Sequence, residues 1–454
     1  MPFTDDRVQS IMEEYRNFKK ARNFTKNIFK KGVSGGISPE YLVMNKNILL
    51  RCSGCGRSYS FGTYSCKCNS GVLLAEYNLK HVKSINELED PSKPGIWRFS
   101  KVLPAVKEYF SFNEGGTPCI KSRLLGPKND ILLYFKDEGR NPTGSFKDRA
   151  ATVLVSTEKE LGHFSATTVS SGNASGALSL YSTIAGMNLY TFMYQPTESK
   201  FYHALSFGHK IFLIKSPASS DVKKIAEESS KEFGWPSITT ISSANPFNVE
   251  GYKTISYEIV RDMGFPDVVV TPMGSGTLAL GLWKGFKELC EMGVISKLPC
   301  LVGIQPEQVN PIERAYQRGD TKIEAVIPGK TMATGTVVND PGISGMAALR
   351  AIKETKGFII SVSEERILDA FKFLPKEEGI FAEPTGALSV AGFKYALEKG
   401  LIQRNQKVVC INSASGFKDL NAFKKLGQSK TQVASIPPSI ESVEKILKAW
   451  NEDN

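Results

Sequence analysis

A mostly parallel β-sheet covered by helices is the fold class that this sequence predicts, and three observations predict it. Short apolar runs rich in β-branched residues recur between about residues 115 and 425. Longer amphipathic stretches separate them. Turns rich in glycine and serine stand where a run passes into a stretch. This alternation marks strand–helix–strand units in an α/β protein. In such sheets ligands bind beyond the carboxyl ends of the strands.

Taken in order, residues 1–48 are expected to form a polar helical extension, basic in KKARNFTKNIFKKG and broken at KGVSGG. Residues 49–80 hold Cys52, Cys55, Cys66 and Cys68 in the spacing C-x2-C-x10-C-x-C, whereas Cys119, Cys290, Cys300 and Cys410 sit among apolar neighbours as buried thiols. The opening MPFTDDRVQS has no basic-then-apolar signal pattern, so a cytoplasmic location is expected. There, clustered cysteines point to metal rather than disulfides. A CxxC knuckle lets two sulfurs converge on one ion, and four thiolates would close the shell of a structural zinc. The CxC half is less usual, and free or redox-active thiols are the competing reading.

Residues 81–427 carry the alternating pattern, entered through the proline-containing stretches DPSKPGIW and VLPAVKEYF. SATTVSS, NLYTFMYQP, KIFLIKS, SITTISS, PDVVVTP, LVGIQP, GFIISVS and KVVCINS read as strands, and ILLYF is an apolar stretch ahead of a turn. Stretches such as VKKIAEESSKEFG, LALGLWKGFKELCEMG and GALSVAGFKYALEKG read as helices. Residues 428–454 form a tail with PP and a short amphipathic helix, ESVEKILKAW.

The net charge of +11 is spread over scattered lysines, which describes a solvated surface better than a nucleic-acid face. A small ribbon with a basic arm keeps nucleic-acid binding as a minor reading. No run reaches the ~18 unbroken apolar residues of a membrane helix.

The most informative turn is NPTGSFKDR. Asn141-Pro142 sets an extended or turn geometry and Gly144 relaxes it. Ser145 and Asp148 make an S-x-x-D capping pattern, from which a helix is expected to run to Leu161 and stop at Gly162. Lys147 then falls in the first helical turn, where the positive end of the helix dipole disfavours an ammonium. A partly neutral lysine is a nucleophile suited to an aldehyde. Taken alone, this pattern fits a surface lysine beside a cap better still.

VVVTPMGSGTLALGLW reads as strand, glycine turn and helix, with Gly274, Ser275, Gly276, Thr277 and Leu278 offering backbone N–H groups to an anion. TTVSSGNASGALSLY is a second such unit, exposing Ser170, Ser171 and Asn173. VVCINSASGFKD is a third, with Ser413 just past a strand. Each alone is ordinary punctuation; together they make a cleft.

NPTGSFKDR, SSGNASG, SSANPFNVEGYKT, MGSGT, EEGIFAEPTGA and SASGFKD follow one another in an order that resembles the fold-type II pyridoxal-phosphate enzymes, and threonine synthases in particular. The segment YSCKCNSGVLLAEYNL resembles one found ahead of the catalytic region in archaeal-type members. The likeness covers roughly residues 50–425. It implies two three-layer parallel-sheet subdomains within 81–427, a zinc-ribbon-like segment before them, and a homodimer. It further implies covalent attachment of pyridoxal 5'-phosphate to Lys147, a hydrogen bond from Asn173 to the cofactor's ring hydroxyl, its phosphate on residues 274–278, and Ser413 at the pyridine nitrogen. Ser170 and Ser171 would face the carboxylate of a small anionic amino-acid substrate.

Two positions depart from the threonine synthase pattern. Asn248 stands where an arginine commonly helps bind substrate phosphate, and Ser415 stands where a histidine is usual. The resemblance implies conversion of O-phosphohomoserine and water to threonine and phosphate. Because of those two positions, a β-replacement enzyme such as cysteate synthase, using O-phosphoserine and sulfite, and a threonine/serine dehydratase remain as alternatives. A catalytically inactive zinc-ribbon binding protein is the reading from another class. Lys136 and Arg149 stand as further candidate anion binders or plain surface charges. His81, His163, His203 and His209 lie outside every motif.

Overall fold

The computed structural model describes residues 48–79, 82–215, 220–426 and 434–452. The expected N-terminal extension up to residue 47, His81 and the first part of the tail lie outside these residues. The tail's amphipathic stretch forms a helix, Ile440–Glu452.

Strands β1 (Leu49–Cys52), β2 (Ser58–Tyr59) and β3 (Leu73–Glu76) form an antiparallel sheet in the order β2-β1-β3. In β1 exposed and buried residues alternate, so Leu50 and Cys52 face inward together. Strands β4 (Cys119–Lys121) and β5 (Leu132–Asp137) come next, followed by β6 (Ser165–Val169), β7 (Asn188–Met193) and β8 (Lys210–Leu213), which make a separate parallel sheet, β6-β7-β8. Strands β9 (Val268–Pro272), β10 (Cys300–Pro306), β11 (Phe358–Val362) and β12 (Lys407–Asn412) complete a six-stranded sheet, β11-β10-β9-β12-β5-β4. All its neighbours pair parallel except β4, an antiparallel edge that the alternating pattern did not reveal.

The central strands are buried on both faces, as a helix-covered parallel sheet requires. Val269, Val409 and Ile411 pack into one core with the helices Lys147–Glu160, Phe247–Met263 and Thr277–Glu291. Their neighbours Val268, Val270, Val408 and Cys410 pack into another with the helix Pro384–Glu398. Successive side chains thus serve opposite layers.

SITTISS does not form a strand. Only Ser237 bridges to Thr167, and the rest is a loop. Its β-branched residues satisfy a turn against the sheet edge rather than a ladder, with Thr239 Oγ1 accepting from Val169 N–H at 3.1 Å.

Lys136 and Arg149 are neither surface charges nor ligand binders; both are fully buried. Arg149 pairs with Glu138 at 2.7 Å and with Glu258 at 2.7 Å, and Lys136 pairs with Glu258 at 2.8 Å. Burial alone would raise the Glu258 carboxyl, but the two cations outweigh it and hold the group well below the usual range. This network ties β5 to the helices Lys147–Glu160 and Phe247–Met263. Those helices cross backbone to backbone, because a Cβ on Gly251 would strike the Arg149 carbonyl.

Candidate active site

The lysine turn is built by hydrogen bonds within it and to the loop after β12. Gly144 takes φ +78° and its N–H donates to the Asn141 carbonyl at 2.8 Å. The expected capping pattern does not form. Asp148 reaches back to Thr143, accepting from its N–H at 2.8 Å and its hydroxyl at 2.7 Å. Ser145 Oγ is buried without a partner, because the Ser145 backbone is bridged to Ala414 and Phe146 N–H donates to the Ser413 carbonyl. The loop after β12 starts this helix, in place of a serine cap.

Lys147 is the first residue of the helix Lys147–Glu160, with Leu161 and Gly162 closing it as expected. Its Nζ lies 3.0 Å from Thr240 Oγ1 and 3.2 Å from Tyr252 Oη, and 4.5 Å from the centroid of the Phe146 ring. The side chain keeps a partial opening to the cavity in front of it, while protein encloses it on its other sides. Burial lowers its ammonium from 10.5 to about 7, and no carboxylate opposes that loss among its described contacts. Desolvation is the cause, acting on a lysine that stands in the first helical turn as the sequence pattern predicts.

In front of the lysine lies a cavity of about 580 Å³. Ser170, Ser171, Asn173, Gly274, Ser275, Gly276, Thr277, Leu278 and Ser413 all line it with Lys147. The helix Thr277–Glu291 opens on it without a side-chain cap, after Gly276 at φ +84°. The N–H groups from Ser275 to Leu278 make no backbone hydrogen bond among the described residues, so this turn leaves donors of the kind an anion takes facing the cavity. The helix Asn173–Ile184 opens on the same cavity, also without a side-chain cap.

Within that second turn, Ser171 Oγ is already committed: it donates to the Tyr194 carbonyl at 2.6 Å and accepts from Tyr194 N–H at 2.8 Å. The Asn173 amide donates to Glu383 Oε1 at 2.9 Å, and its Oδ1 is buried without a partner. Glu383 also lies 3.2 Å from Lys200 Nζ, which lines the cavity beside it. Asn248 is fully buried and outside this lining, and both atoms of its amide lack partners.

Thr240, Tyr252, Lys200 and Glu383 are site residues to which the sequence reading gave no role. Tyr252 and Glu383 lay inside quoted motifs, GYKT and AEPTGA, but nothing in the spacing aimed them at Lys147 or Asn173. The described histidines take no part in the cavity: His163 meets Glu158, His209 meets the Ser179 carbonyl, and His203 packs against Lys418.

In the ribbon, the sulfurs of Cys52, Cys55, Cys66 and Cys68 lie within 4.8 Å of one another. Separations of 3.5 Å for Cys52–Cys68 and 3.6 Å for Cys55–Cys66 approach the about 3.8 Å expected of a tetrahedral ion with ~2.3 Å bonds to sulfur. The donor set fits zinc.

A depressed lysine amine at the end of a mostly parallel sheet, an uncapped amide cradle and an orphaned amide oxygen together suit an aldehyde cofactor bearing phosphate. The comparisons agree with that class. Residues 110–414 match the family model described as pyridoxal-phosphate dependent enzyme. Threonine synthase of Methanocaldococcus jannaschii is 36% identical over 392 residues, covering 83% of this chain and 94% of that protein. Threonine synthase of Methanosarcina acetivorans is 36% identical over 377 residues, covering 82% and 92%. Among solved structures, the threonine deaminase of T.th. superposes with a TM-score of 0.56 at 26% identity, over 66% of this chain and 92% of its own. Maize serine racemase shares the fold, with a TM-score of 0.60 at 20% identity, over 69% and 92%.

The fold and the site thus define a fold-type II pyridoxal-phosphate enzyme. The chain belongs to the threonine synthase family of that class, a family of lyases acting on amino acids. Among the described residues no helix is long and apolar enough to cross a membrane.

Proposed function

We propose that this chain makes threonine and phosphate from O-phosphohomoserine and water, with Lys147 as the residue that carries pyridoxal 5'-phosphate. The observation that carries the reading is a largely desolvated amine given no counter-charge, facing a cavity with two open helix N-termini. Gly274–Leu278 would hold the cofactor phosphate, Asn173 its ring hydroxyl, and the Ser413 hydroxyl its ring nitrogen. A hydroxyl cannot keep that nitrogen protonated by charge pairing, which restrains the ring as an electron sink. Bound cofactor supplies that sink for the substrate carbons. Lys147 Nζ would move protons between those carbons, with Thr240 and Tyr252 aiming the nitrogen. The Ser170 hydroxyl and the N–H groups of Ser171 and Asn173 would take the substrate carboxylate, because the Ser171 hydroxyl and the Ser170 and Gly172 N–H groups are spent.

A cation for the substrate phosphate is still at hand although Asn248 replaces the family's arginine. Lys200 borders the cavity, held by Glu383 and by Thr334 Oγ1 at 3.3 Å. Lys200→Met is expected to raise KM for O-phosphohomoserine by about 10- to 100-fold, the worth of a charge-assisted hydrogen bond, with a smaller change in kcat. Steady-state phosphate release measures both.

The β-replacement reading stays open through the same Lys200, which would hold a shorter phosphoester equally well. Phosphate release from O-phosphohomoserine and from O-phosphoserine, with and without sulfite, tests the assignment. Turnover of O-phosphoserine alone overturns it.

A lysine lowered to about 7 has a pH consequence. The attacking form is the neutral amine, so capture of cofactor by apoprotein is expected to rise with pH. It goes from about a tenth of maximal at about pH 6 to about nine-tenths at about pH 8. Absorbance of the lysine-linked cofactor at fixed time reads this directly; an ordinary lysine would still be climbing at about pH 10.

The four-thiolate ribbon is proposed to hold a structural zinc. Protein prepared with zinc is expected to carry about one ion per chain, and the Cys52→Ser/Cys66→Ser variant almost none, by atomic absorption.

A further inference from the structure

The two hydrogen-bond partners of Lys147 stand on either side of one short segment. Thr240 precedes it and Tyr252 follows it, with Asn245 and Phe247 between them. The cysteine ribbon grips that segment at two points. The Phe61 ring lies on the Phe247 ring, centroids 4.6 Å apart, both residues being buried. The Tyr64 hydroxyl donates to Glu158 Oε2 at 2.8 Å, and Glu158 Oε1 accepts from Asn245 Nδ2 at 3.0 Å. Asn245 Oδ1 in turn accepts from Phe247 N–H at 3.0 Å, which fixes the start of the helix that carries Tyr252.

Glu158 is fully buried and stands on the same helix as Lys147. One carboxylate therefore gathers the ribbon, the lysine helix and the Thr240–Tyr252 segment. Phe61 and Tyr64 lie in the loop between Cys55 and Cys66, so their placement depends on the convergence of the four sulfurs.

We propose that Phe61 and Tyr64 are positioning residues: through Phe247, Glu158 and Asn245, the metal-closed ribbon holds Thr240 and Tyr252 against the nitrogen of Lys147. This inference rests on the reading of Lys147 as the cofactor amine. Its physical content is exclusion of water. Bonds of 3.0 and 3.2 Å to Nζ survive only small displacements of the segment. A loosened segment admits water, and water favours the ammonium. Loss of the ribbon's metal is thereby felt at the amine, although the ion touches neither substrate nor cofactor.

The test is cofactor capture by apoprotein as a function of pH, in the full-length wild type, in Tyr64→Phe, in Phe61→Leu, and in wild type stripped of zinc by a chelator and then resupplied. Tyr64→Phe and the stripped protein are expected to shift the capture midpoint upward by about one pH unit, because hydration returns the amine toward its ordinary range. Zinc resupply restores the wild type and leaves Tyr64→Phe shifted. Tyr64→Phe loses only a hydroxyl, so the test stands if Phe61→Leu fails to fold. Folded variants with lowered melting temperature and an unchanged midpoint overturn the proposal, since a merely structural ribbon would behave that way. Absence of any lysine-linked cofactor in the wild type would instead defeat the reading of Lys147.

Discussion

Lys147→Ala is expected to yield a protein with no borohydride-trappable cofactor and a turnover lower by about 10³-fold or more, the upper range for loss of a positioned acid–base group. The size follows from the site. Among the described residues no other amine is hydrogen-bonded to Thr240 or Tyr252, and Lys200 is held elsewhere by Glu383 and Thr334. Lys147→Arg tests the chemistry separately from the charge, because a guanidinium cannot become the neutral nucleophile at any accessible pH. The position opens on the cavity, so neither the shorter nor the longer side chain is forced against the core, and melting temperatures should stay near wild type. Retention of covalently held cofactor and unchanged activity in Lys147→Ala would remove the basis for the proposed function.

The second large effect is on stability. Arg149→Met is expected to cost about 3–5 kcal/mol, since removal of one partner strands buried opposite charge. Glu138 then loses its buried cation, and Glu258 keeps Lys136 at 2.8 Å as its fully buried partner. The pH dependence has a definite sign. With Arg149 present, the depressed Glu258 carboxyl contributes stability above the ordinary carboxylate range, lost only as pH falls through its lowered native value. With Arg149 absent, Glu258 loses one of the two cations that oppose its burial and binds its proton more tightly in the folded state. The destabilisation should then be larger at about pH 8 than at about pH 5, in urea titrations at the two values. An equal loss at both would assign the cost to packing.

What the sequence made legible and what it hid divide along a physical line. Lys147, Asn173, the glycine turn and Ser413 were readable because strand-to-helix turns carry local signals: glycines, small polar residues and an abrupt change of hydrophobic period. The topology of a parallel sheet then brings its carboxyl ends to one side, and the cavity lining follows. Thr240 was hidden because SITTISS has the composition of a strand, and only the sheet edge beside it decides that it becomes a loop. Tyr252 was hidden because a helix residue is aimed by the packing of the whole helix, here the close crossing at Gly251. Lys136 and Arg149 misled because a lone charge in a sequence carries no sign of its burial, and their carboxylate partners lie up to 122 residues away. Ser145 misled because a capping pattern competes with tertiary bonds, and the β12 loop wins.

The left-handed Gly276 has an evolutionary consequence. Its backbone angle excludes ordinary side chains, and a Cβ there would meet Ala348 of the helix Gly342–Glu354. The turn proposed to hold the cofactor's phosphate is thus constrained against mutation from two directions at once. Divergence of substrate preference on such a scaffold is then expected at side chains of the cavity such as Lys200, which tolerate replacement where this backbone does not.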